Sequence, residues 1–518
     1  LTATMLSCFL LLLMCGYSLA ESSKPNIIFM LMDDMGWGDL GINGQPSKET
    51  PNLDNMAKEG TLFTDFYSAN PLCSPSRAAL LTGRLPIRNG FYTSNYHGHN
   101  GYTPQHIVGG IPDHEILVSE LLSSAGYTNK LIGKWHLGQQ EQYLPLKHGF
   151  HEWFGSPNCH FGPYDDKTTP NIPVYNNTEM VGRRYYEEFA IESHKYLSNM
   201  TQYYIQEALD FIERMERNEK PFFLYWAPDA THSPVYSSPM FRGASRRGPY
   251  GDAVMELDYG VGVIIQKLKQ LGLDKNTLVL FSSDNGAAMI GSAFENGSNG
   301  PFLCGKQTTF EGGIREPTIA WGPGFVQQGQ VSHQVGSLMD WFATALDLAG
   351  IAVPKDRIID GVSLLPVLNG AAEFDRPIFH YRGNALFAVR FGLHKAHYWT
   401  WTNSWEEYNT GITFCRGEYL ANVTTHEQVN RTLDPVVFQL GRDPGEKHPM
   451  KSSTSEYKDA VMTMNSIVEK HMETLKPGQP QFDWCDDSVM NWAPAGCEKL
   501  NKCLPIPKSN LQKCVWPH

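Results

Sequence analysis

The stretch NIIFMLM, residues 26–32, decides the fold class, because this almost wholly apolar run leads directly into the acidic pair Asp33-Asp34. Two later stretches repeat the pattern: FFLYW, residues 222–226, leads towards His232, and TLVLF, residues 277–281, leads towards Asp284-Asn285. Continuous apolar runs of this length are typical of strands buried on both faces of a parallel sheet.

Helical periodicity separates these runs. Residues 202–214 and 252–271 carry apolar side chains at helical spacing. The alternation predicts an α/β fold whose central, mostly parallel sheet is flanked by helices. After about residue 375 the pattern changes to shorter alternating segments such as HYWTWT, residues 397–402, followed by a helix near 456–475. We therefore expect a main domain over 24–375, a smaller antiparallel-sheet domain over 376–481, and a tail over 482–518.

Length and charge limit the function classes. A chain of 518 residues has room for two to four domains. Its formal net charge of −12 lacks the bulk positive charge typical of nucleic-acid-binding proteins, so we expect no nucleic-acid partner. A local basic pocket could still bind an anionic substrate.

The first twenty residues resemble a secretory signal peptide. The apolar run FLLLLM, residues 9–14, is too short to span a bilayer, and Ser18 and Ala20 place small residues before a cleavage point after Ala20. A buried apolar helix is the alternative, and Met5 is an alternative start. No later stretch predicts a membrane span. Five glycosylation sequons accord with the secretory route: Asn176, Asn199, Asn296, Asn422 and Asn430.

Cysteine usage points to an oxidising compartment. Of ten cysteines, two lie in the leader, and four of the remaining eight crowd into the tail, at Cys485, Cys497, Cys503 and Cys514. In a secreted chain this pattern predicts a disulfide-tied tail, whose pairing the spacing leaves open.

The polar residues that follow the predicted strands form a candidate metal site. Asp33, Asp34, Asp284 and Asn285 offer hard oxygen ligands suited to Ca²⁺ or Mg²⁺, without the Cys and His that zinc prefers. Asp and Asn are also common in turns and helix caps. Two such pairs at the ends of two core strands favour the metal site, because open α/β sheets bind ligands there.

The segment CSPSR, residues 73–77, carries the most specific signal. A buried cysteine or half of a disulfide is the ordinary interpretation of Cys73. However, Cys-x-Pro-x-Arg followed by AALLTGR, residues 78–84, resembles the signal for conversion of Cys to formylglycine in the type I sulfatase family. Other parts of that family's pattern follow in order: GKWHLG at 133–138, His232, Asp284-Asn285, and Lys306 within GKQT.

The resemblance implies an alkaline-phosphatase-like fold and a role for each matched residue. A formylglycine-generating enzyme would convert Cys73 to an aldehyde, whose hydrate attacks the sulfur of a sulfate ester. Ca²⁺ would be held by Asp33, Asp34, Asp284, Asn285 and the converted Cys73. The remaining roles concern sulfate and proton transfer: Arg77 and Lys134 hold the diol and sulfate, His232 and Lys306 face the bridging oxygen, and His136 is the base that releases sulfate. Tyr102 resembles a residue that contacts the sugar, although a structural surface tyrosine is nearly as good an interpretation.

Further segments narrow the expected substrate. NPLCSPSR at 70–77, FGSPNCHFGPY at 154–164, TWTNSWE at 400–406 and MNWAP at 490–494 resemble a lysosomal exo-acting member of the family. That member removes 6-sulfate from N-acetylgalactosamine in chondroitin 6-sulfate and from galactose in keratan sulfate. The resemblance also implies a homodimer, a free Cys159, and the disulfides Cys304–Cys415, Cys485–Cys514 and Cys497–Cys503. We expect an acidic activity optimum.

Three alternatives stay open on sequence grounds. The first is a phosphatase or phosphodiesterase of related architecture with a Ser or Thr nucleophile. The second is another sulfatase, such as an arylsulfatase or iduronate sulfatase. The third is a non-catalytic glycan-binding protein, which would require Cys73 to remain unmodified.

Overall fold

A ten-stranded sheet forms the centre of the protein in the computed structural model, which describes residues 24–95, 101–289, 295–401, 415, 420 and 428–515. The strand order is β11-β2-β10-β9-β1-β8-β4-β5-β6-β7. These ten strands are β1 Asn26–Met32, β2 Thr61–Phe63, β4 Thr128–Lys134, β5 Glu152–Ser156, β6 Pro173–Asn176, β7 Glu179–Arg183, β8 Phe222–Ala227, β9 Thr277–Ser283, β10 Thr318–Trp321 and β11 Gln330–Ser332. A separate short pair joins β3 (Phe66–Tyr67) to β12 (Gly336–Ser337).

The five central strands, β9-β1-β8-β4-β5, are all parallel. Met32 at the end of β1 is paired with Ser283 at the end of β9, and Gly133 of β4 is paired with Ala227 of β8. The carboxyl ends of these strands therefore meet at one edge of the sheet. Antiparallel pairing is confined to the outer strands, β10 on one side and β6 and β7 on the other.

Helices cover both faces of the sheet, because β1 alternates its apolar side chains between two cores. Ile27, Phe29 and Leu31 pack with helices α2, α4 and α8. Residues of opposite parity pack with α1, α5 and α6. The helices are α1 Pro51–Glu59, α2 Cys73–Thr82, α3 Pro86–Asn89, α4 Val118–Ser124, α5 Met200–Arg217, α6 Pro249–Gln270, α7 Glu311–Ile314, α8 Met339–Leu348, α9 Leu365–Leu368 and α10 Ser455–Thr474. Short 3₁₀ helices lie at Trp37–Asp39, Gly41–Asn43, Glu141–Tyr143, Pro145–Lys147, Asp274–Asn276 and Asp487–Val489.

A second, antiparallel sheet follows the main one. Its order is β13-β14-β15-β18, and α10 packs against it through Tyr457, Ala460 and Met464. Its strands are β13 Ile378–Arg382, β14 Ala385–Phe391, β15 His394–His397 and β18 Val436–Gln439. Two-residue strands complete the chain: β16 Trp399–Thr400 pairs with β17 Val429–Asn430, and β19 Trp484–Cys485 pairs with β20 Gln512–Lys513.

Three disulfides join the parts of the chain. Cys304–Cys415 links the main domain to the C-terminal region, while Cys485–Cys514 and Cys497–Cys503 close the tail. Cys73 and Cys159 are free and buried. The tail returns to the main domain, since Cys485 and Cys514 belong to the core on one face of the large sheet.

The predicted fold class is confirmed in its large, mostly parallel sheet, its smaller antiparallel sheet and its disulfide-tied tail. The predicted helices at 202–214, 252–271 and 456–475 correspond to α5, α6 and α10. Within the described residues, no helix has the length and apolar character needed to cross a membrane. The predicted signal peptide and Asn422 lie outside the described residues, and the proposed domain boundaries stay predictions.

Candidate active site

The candidate site lies where the five parallel strands end. Strand β1 delivers Asp33 and Asp34, and β9 delivers Asp284 and Asn285 in register beside them, with the Asp284 N–H donating to the Met32 carbonyl at 3.1 Å. The other three strands lead into further polar segments: β8 into residues 229–232, β4 into residues 134–136, and β5 into residues 158–161.

Carboxylate oxygens of Asp33, Asp34 and Asp284 converge at this edge beside the sulfur of Cys73, and we call this group the oxygen cluster. Ligand atoms of Asp33, Asp34, Asp284 and Cys73 all lie within 4.8 Å of one another, and all four residues are buried. Asn285 joins them by donating from Nδ2 to Asp34 Oδ1 at 2.8 Å. Asp34 has φ = 60°, a left-handed conformation that turns the chain sharply at the strand end.

This cluster suits a hard cation on two observations. Asn285 Oδ1 has no hydrogen-bond partner within the described part of the chain, although a buried amide oxygen normally has one. Burial, together with the neighbouring Asp33 and Asp34 carboxylates, raises the pKa of Asp284 to about 6 against the opposing effect of Arg77. A divalent cation would use the free oxygen and relieve the repulsion among the carboxylates.

Three cationic side chains surround the carboxylates. Lys134 Nζ donates to both oxygens of Asp33, at 2.9 and 2.7 Å. Lys306 Nζ donates to Asp34 Oδ2 at 2.7 Å. Arg77 donates from Nε to Asp284 Oδ2 at 2.9 Å, and its terminal nitrogen lies 2.8 Å from the same oxygen. Burial disfavours the charged form of Asp33, but Lys134, His232 and Arg77 hold the pKa of Asp33 below its ordinary range.

Cys73 is the first residue of helix α2, and its side chain points into the cluster. Its Sγ lies 3.5 Å from Asp33 Oδ1 and 4.0 Å from Asp34 Oδ1. Because Cys73 lies at the N-terminus of the helix, the positive end of the helix dipole lies at this point. Leu72, the N-cap residue, provides no side-chain cap. Burial raises the pKa of the Cys73 thiol well above its ordinary value, so the unmodified thiol would remain protonated and be a poor nucleophile.

His136 lies beside the cluster on the loop after β4. It has φ = 66°, and its Nε2 lies 3.2 Å from the Thr103 carbonyl oxygen. Both ring nitrogens lie 3.8 Å from Cys159 Sγ. Burial lowers the pKa of His136, which favours the neutral ring that a general base requires. Tyr102 is close by, with its ring centroid 6.3 Å from that of His136.

His232 faces the cluster from the loop after β8. Its Nε2 lies 3.9 Å from Asp34 Oδ2. Burial opposes the charged form, but Cys159, Asp33 and Asp34 raise the pKa of His232 above its ordinary value. A protonated His232 could therefore donate a proton to a leaving group.

A buried polar network fixes the His232 loop. Asp229 accepts from Tyr236 Oη at 2.6 Å and from Arg184 at 3.1 Å, and its Oδ2 lies 2.8 Å from His160 Nδ1. Thr231 Oγ1 donates to the Asp33 carbonyl at 2.6 Å, tying the loop to the end of β1. Hydrogen bonds therefore hold the loop both to the buried Arg184 and His160 side chains and to the end of β1.

The structure brings together all the predicted site residues, with Tyr102 at the margin beside His136. Sequence reasoning assigned no role in the site to four residues that contact the two predicted catalytic histidines or hold them in place: Cys159, His160, Phe161 and Asp229. The available signal was the one that selected Asp33 and Asp284, because Cys159, His160 and Phe161 lie in the segment that follows the buried end of β5.

Comparisons with known proteins define the class. A family model described as "Sulfatase" matches residues 25–351, and one described as the C-terminal region of aryl-sulfatase matches residues 373–505. The chain therefore belongs to the sulfatase family and is a sulfuric ester hydrolase.

Among its relatives, the chain is 63% identical to N-acetylgalactosamine-6-sulfatase of Canis lupus familiaris over 95% of this chain and 94% of that protein. It is 38% identical to arylsulfatase A of Bos taurus over 90% and 89% of the two chains. The PsFucS1 sulfatase from Pseudoalteromonas sp. superposes with a TM-score of 0.70 and 28% identity, over 88% of this chain and 92% of that one.

Proposed function

We propose that this enzyme is an exo-acting sulfatase that removes 6-sulfate from N-acetylgalactosamine in chondroitin 6-sulfate and from galactose in keratan sulfate, in the lysosome. The observation that carries the proposed chemistry is Cys73, in its Cys-x-Pro-x-Arg context, within reach of the carboxylates of Asp33 and Asp34. The extensive identity to N-acetylgalactosamine-6-sulfatase supports the choice of sugar.

In this proposal a formylglycine-generating enzyme converts Cys73 to formylglycine, and hydration gives two hydroxyl groups on one carbon. One hydroxyl attacks the sulfur, and the bond from sulfur to the sugar oxygen breaks. A serine in the same place would carry a single hydroxyl, so it could form a sulfate ester but would lack the second group needed to release it.

Ca²⁺ would be held by Asp33, Asp34, Asp284, Asn285 and an oxygen of the converted Cys73, and it would polarise the sulfate and acidify the attacking hydroxyl. The chain's own cations complete the sulfate site. Lys134 and Lys306 already contact carboxylates of the cluster, so their ammonium groups lie close to any sulfate bound there. Arg77 orients Asp284 through two nitrogens on one carboxylate oxygen.

Two proton transfers complete the reaction. His232 or Lys306 donates a proton to the leaving sugar oxygen, because both lie beside Asp34 in the cluster. His136 then removes the proton of the second hydroxyl, the carbon–oxygen bond to sulfate breaks, and the aldehyde is restored. The Thr103 carbonyl can accept the Nε2 proton of His136, which leaves Nδ1 as the basic nitrogen.

Mass spectrometry of the peptide containing Cys73, combined with sulfate-release assays, tests this proposal. Protein from a eukaryotic secretory host should carry the aldehyde at Cys73 and release sulfate from 6-sulfated N-acetylgalactosamine in preference to the 4-sulfated isomer. Cys73→Ser should retain the fold and lose turnover. An intact thiol in fully active enzyme would overturn the formylglycine mechanism.

The same assays separate the alternatives. Equal release from simple aryl sulfates and sugar sulfates would favour an arylsulfatase, an option supported by the 38% identity to arylsulfatase A. Phosphate release in preference to sulfate release would indicate a phosphatase. Binding of the glycan with an unconverted Cys73 and no turnover would indicate a non-catalytic glycan-binding protein. The homodimer and glycosylation at the sequons stay predictions, although Asn176, Asn199 and Asn430 are exposed.

A further inference from the structure

We propose that Phe161 is a stacking platform for the galactose-type ring whose 6-sulfate enters the oxygen cluster, an inference that rests on the proposed function. Phe161 is 36% exposed, although the three residues before it, Asn158, Cys159 and His160, are buried. Its ring meets the ring of His232 edge-to-face, with centroids 4.8 Å apart. His232 in turn lies 3.9 Å from Asp34 Oδ2. A single side chain therefore separates the exposed ring from the cluster.

The backbone around Phe161 is held rigidly. His160 Nδ1 lies 2.8 Å from Asp229 Oδ2, and His160 Nε2 lies 3.0 Å from the Pro234 carbonyl oxygen. The Tyr185 hydroxyl donates to the His160 carbonyl at 2.8 Å. On the other side, Gly162 has φ = 147°, and a Cβ there would lie 2.6 Å from the Tyr185 ring. Phe161 is thus exposed on a preorganised loop, which lowers the entropic cost of ligand binding.

An exposed apolar side chain is common on protein surfaces and by itself indicates nothing. Phe161 differs because its ring contacts a predicted catalytic residue. Ligand sites combine apolar and aromatic surfaces with a few polar groups that set orientation. Phe161 supplies the apolar surface next to the charged groups that would bind sulfate.

The stereochemistry of a galactose-type sugar explains why an aromatic side chain at this position suits it. In a galactose-type pyranose the axial O4 leaves the C–H bonds of C3, C4 and C5 together on one face, and C6 is attached to C5. An aromatic ring on that face therefore lies next to the 6-substituent. A glucose-type ring, with equatorial O4, presents a different C–H pattern there. Phe161 should thus contribute to selecting the galactose configuration as well as to affinity.

Three variants test the platform. Phe161→Ala removes the ring, Phe161→Tyr retains it, and Phe374→Ala is a matched control that removes an exposed phenylalanine (41%) from another part of the chain. For Phe161→Ala we expect KM for 6-sulfated N-acetylgalactosamine to rise about tenfold, equivalent to about 1.4 kcal/mol. The preference of this variant for 6-sulfated N-acetylgalactosamine over 6-sulfated N-acetylglucosamine should also fall. Inhibition by inorganic sulfate should change less than about twofold, because sulfate does not need the ring.

Direct binding separates this inference from the proposed function. Affinity for N-acetylgalactosamine 6-sulfate is measured in a Cys73→Ser background, with and without Phe161→Ala. Loss of affinity on removing the ring supports the platform even if the wild-type enzyme fails to hydrolyse this sugar, a failure that would overturn the proposed function alone. Unchanged affinity and KM in Phe161→Ala, or an equal weakening of inorganic sulfate inhibition, would overturn the platform.

Discussion

Asp229→Asn is the substitution that most directly tests how the His232 loop is held. The Asp229 carboxylate is fully buried and contacts Arg184, His160 and Tyr236 at 3.1, 2.8 and 2.6 Å. The change preserves shape but removes the negative charge, leaving the fully buried Arg184 guanidinium without its carboxylate partner.

Removing one partner of a buried ion pair costs about 3–5 kcal/mol, because the remaining charge is uncompensated. We expect Asp229→Asn to lower the free energy of unfolding by an amount in this range. Adding Arg184→Met should restore part of the loss, since the double variant no longer buries an unpaired charge; contacting pairs typically show coupling of about 0.5–3 kcal/mol. The control is Asp356→Asn, whose ion pair with Arg357 is largely exposed on the Asp356 side and should contribute no measurable stability.

Urea denaturation followed by tryptophan fluorescence measures these differences in the free energy of unfolding. Sulfate-release kinetics show whether the loop still positions His232. In Asp229→Asn, kcat should fall because Asp229 positions the loop that carries His232. Two results would refute the reasoning: a stability loss no larger than that of Asp356→Asn, or strictly additive losses in the double variant with Arg184→Met.

Three further predictions concern metal, pH and disulfide. Ca²⁺ at a hundredfold excess over Kd should raise the free energy of unfolding by about 2.7 kcal/mol, and the thermal midpoint should rise with it. Asn285→Ala should shift the Ca²⁺ titration of the midpoint to higher concentration. An unchanged titration would contradict the assignment of Asn285 as a ligand. Burial raises the pKa of Asp258 to about 6. The unfolded chain therefore ionises first as pH rises, and wild type should lose stability relative to Asp258→Asn between about pH 4 and 6, by on the order of 3 kcal/mol; a pH-independent difference in unfolding free energy would refute this. Cys304→Ser should lower the thermal midpoint, because the Cys304–Cys415 bridge closes a loop with a sequence separation of 111, for which the chain-entropy estimate is about 4–5 kcal/mol; a midpoint equal to that of wild type would mean that the bridge adds no stability.

Much of the site could be predicted from sequence because one physical rule positions it. Parallel strands buried on both faces are continuous apolar runs, and their carboxyl ends share one edge of the sheet. That rule alone placed Asp33 and Asp34 beside Asp284 and Asn285, as the strand register now shows. The same rule could have extended to residues 158–161 after β5, but β5 has only five residues, including two small ones, and gives a weak apolar signal.

Other features depend on contacts that local patterns do not encode. Lys306 reaches Asp34 from a loop rather than from a strand end, so its position follows from tertiary packing, and only the family resemblance singled it out. The cysteines of the tail predicted disulfides. No sequence periodicity predicts that Cys485 and Cys514 pack into the core of the main domain. The outer strands β6 and β7 are short and partly exposed; the tight turn between them makes β7 antiparallel to β6, and composition does not predict their direction.

The charges around the cluster explain why the overall charge of the protein says little about its substrate. Three carboxylates, those of Asp33, Asp34 and Asp284, are matched by three cations, those of Arg77, Lys134 and Lys306. These six charges balance, so they offer a sulfate monoanion little net attraction by themselves, and a protonated His232 would add a single positive charge. A divalent cation held by the carboxylates would leave an excess of positive charge in a buried site, where electrostatic interactions are strong. Anion binding and metal binding should consequently be coupled, with each ligand strengthening the affinity for the other.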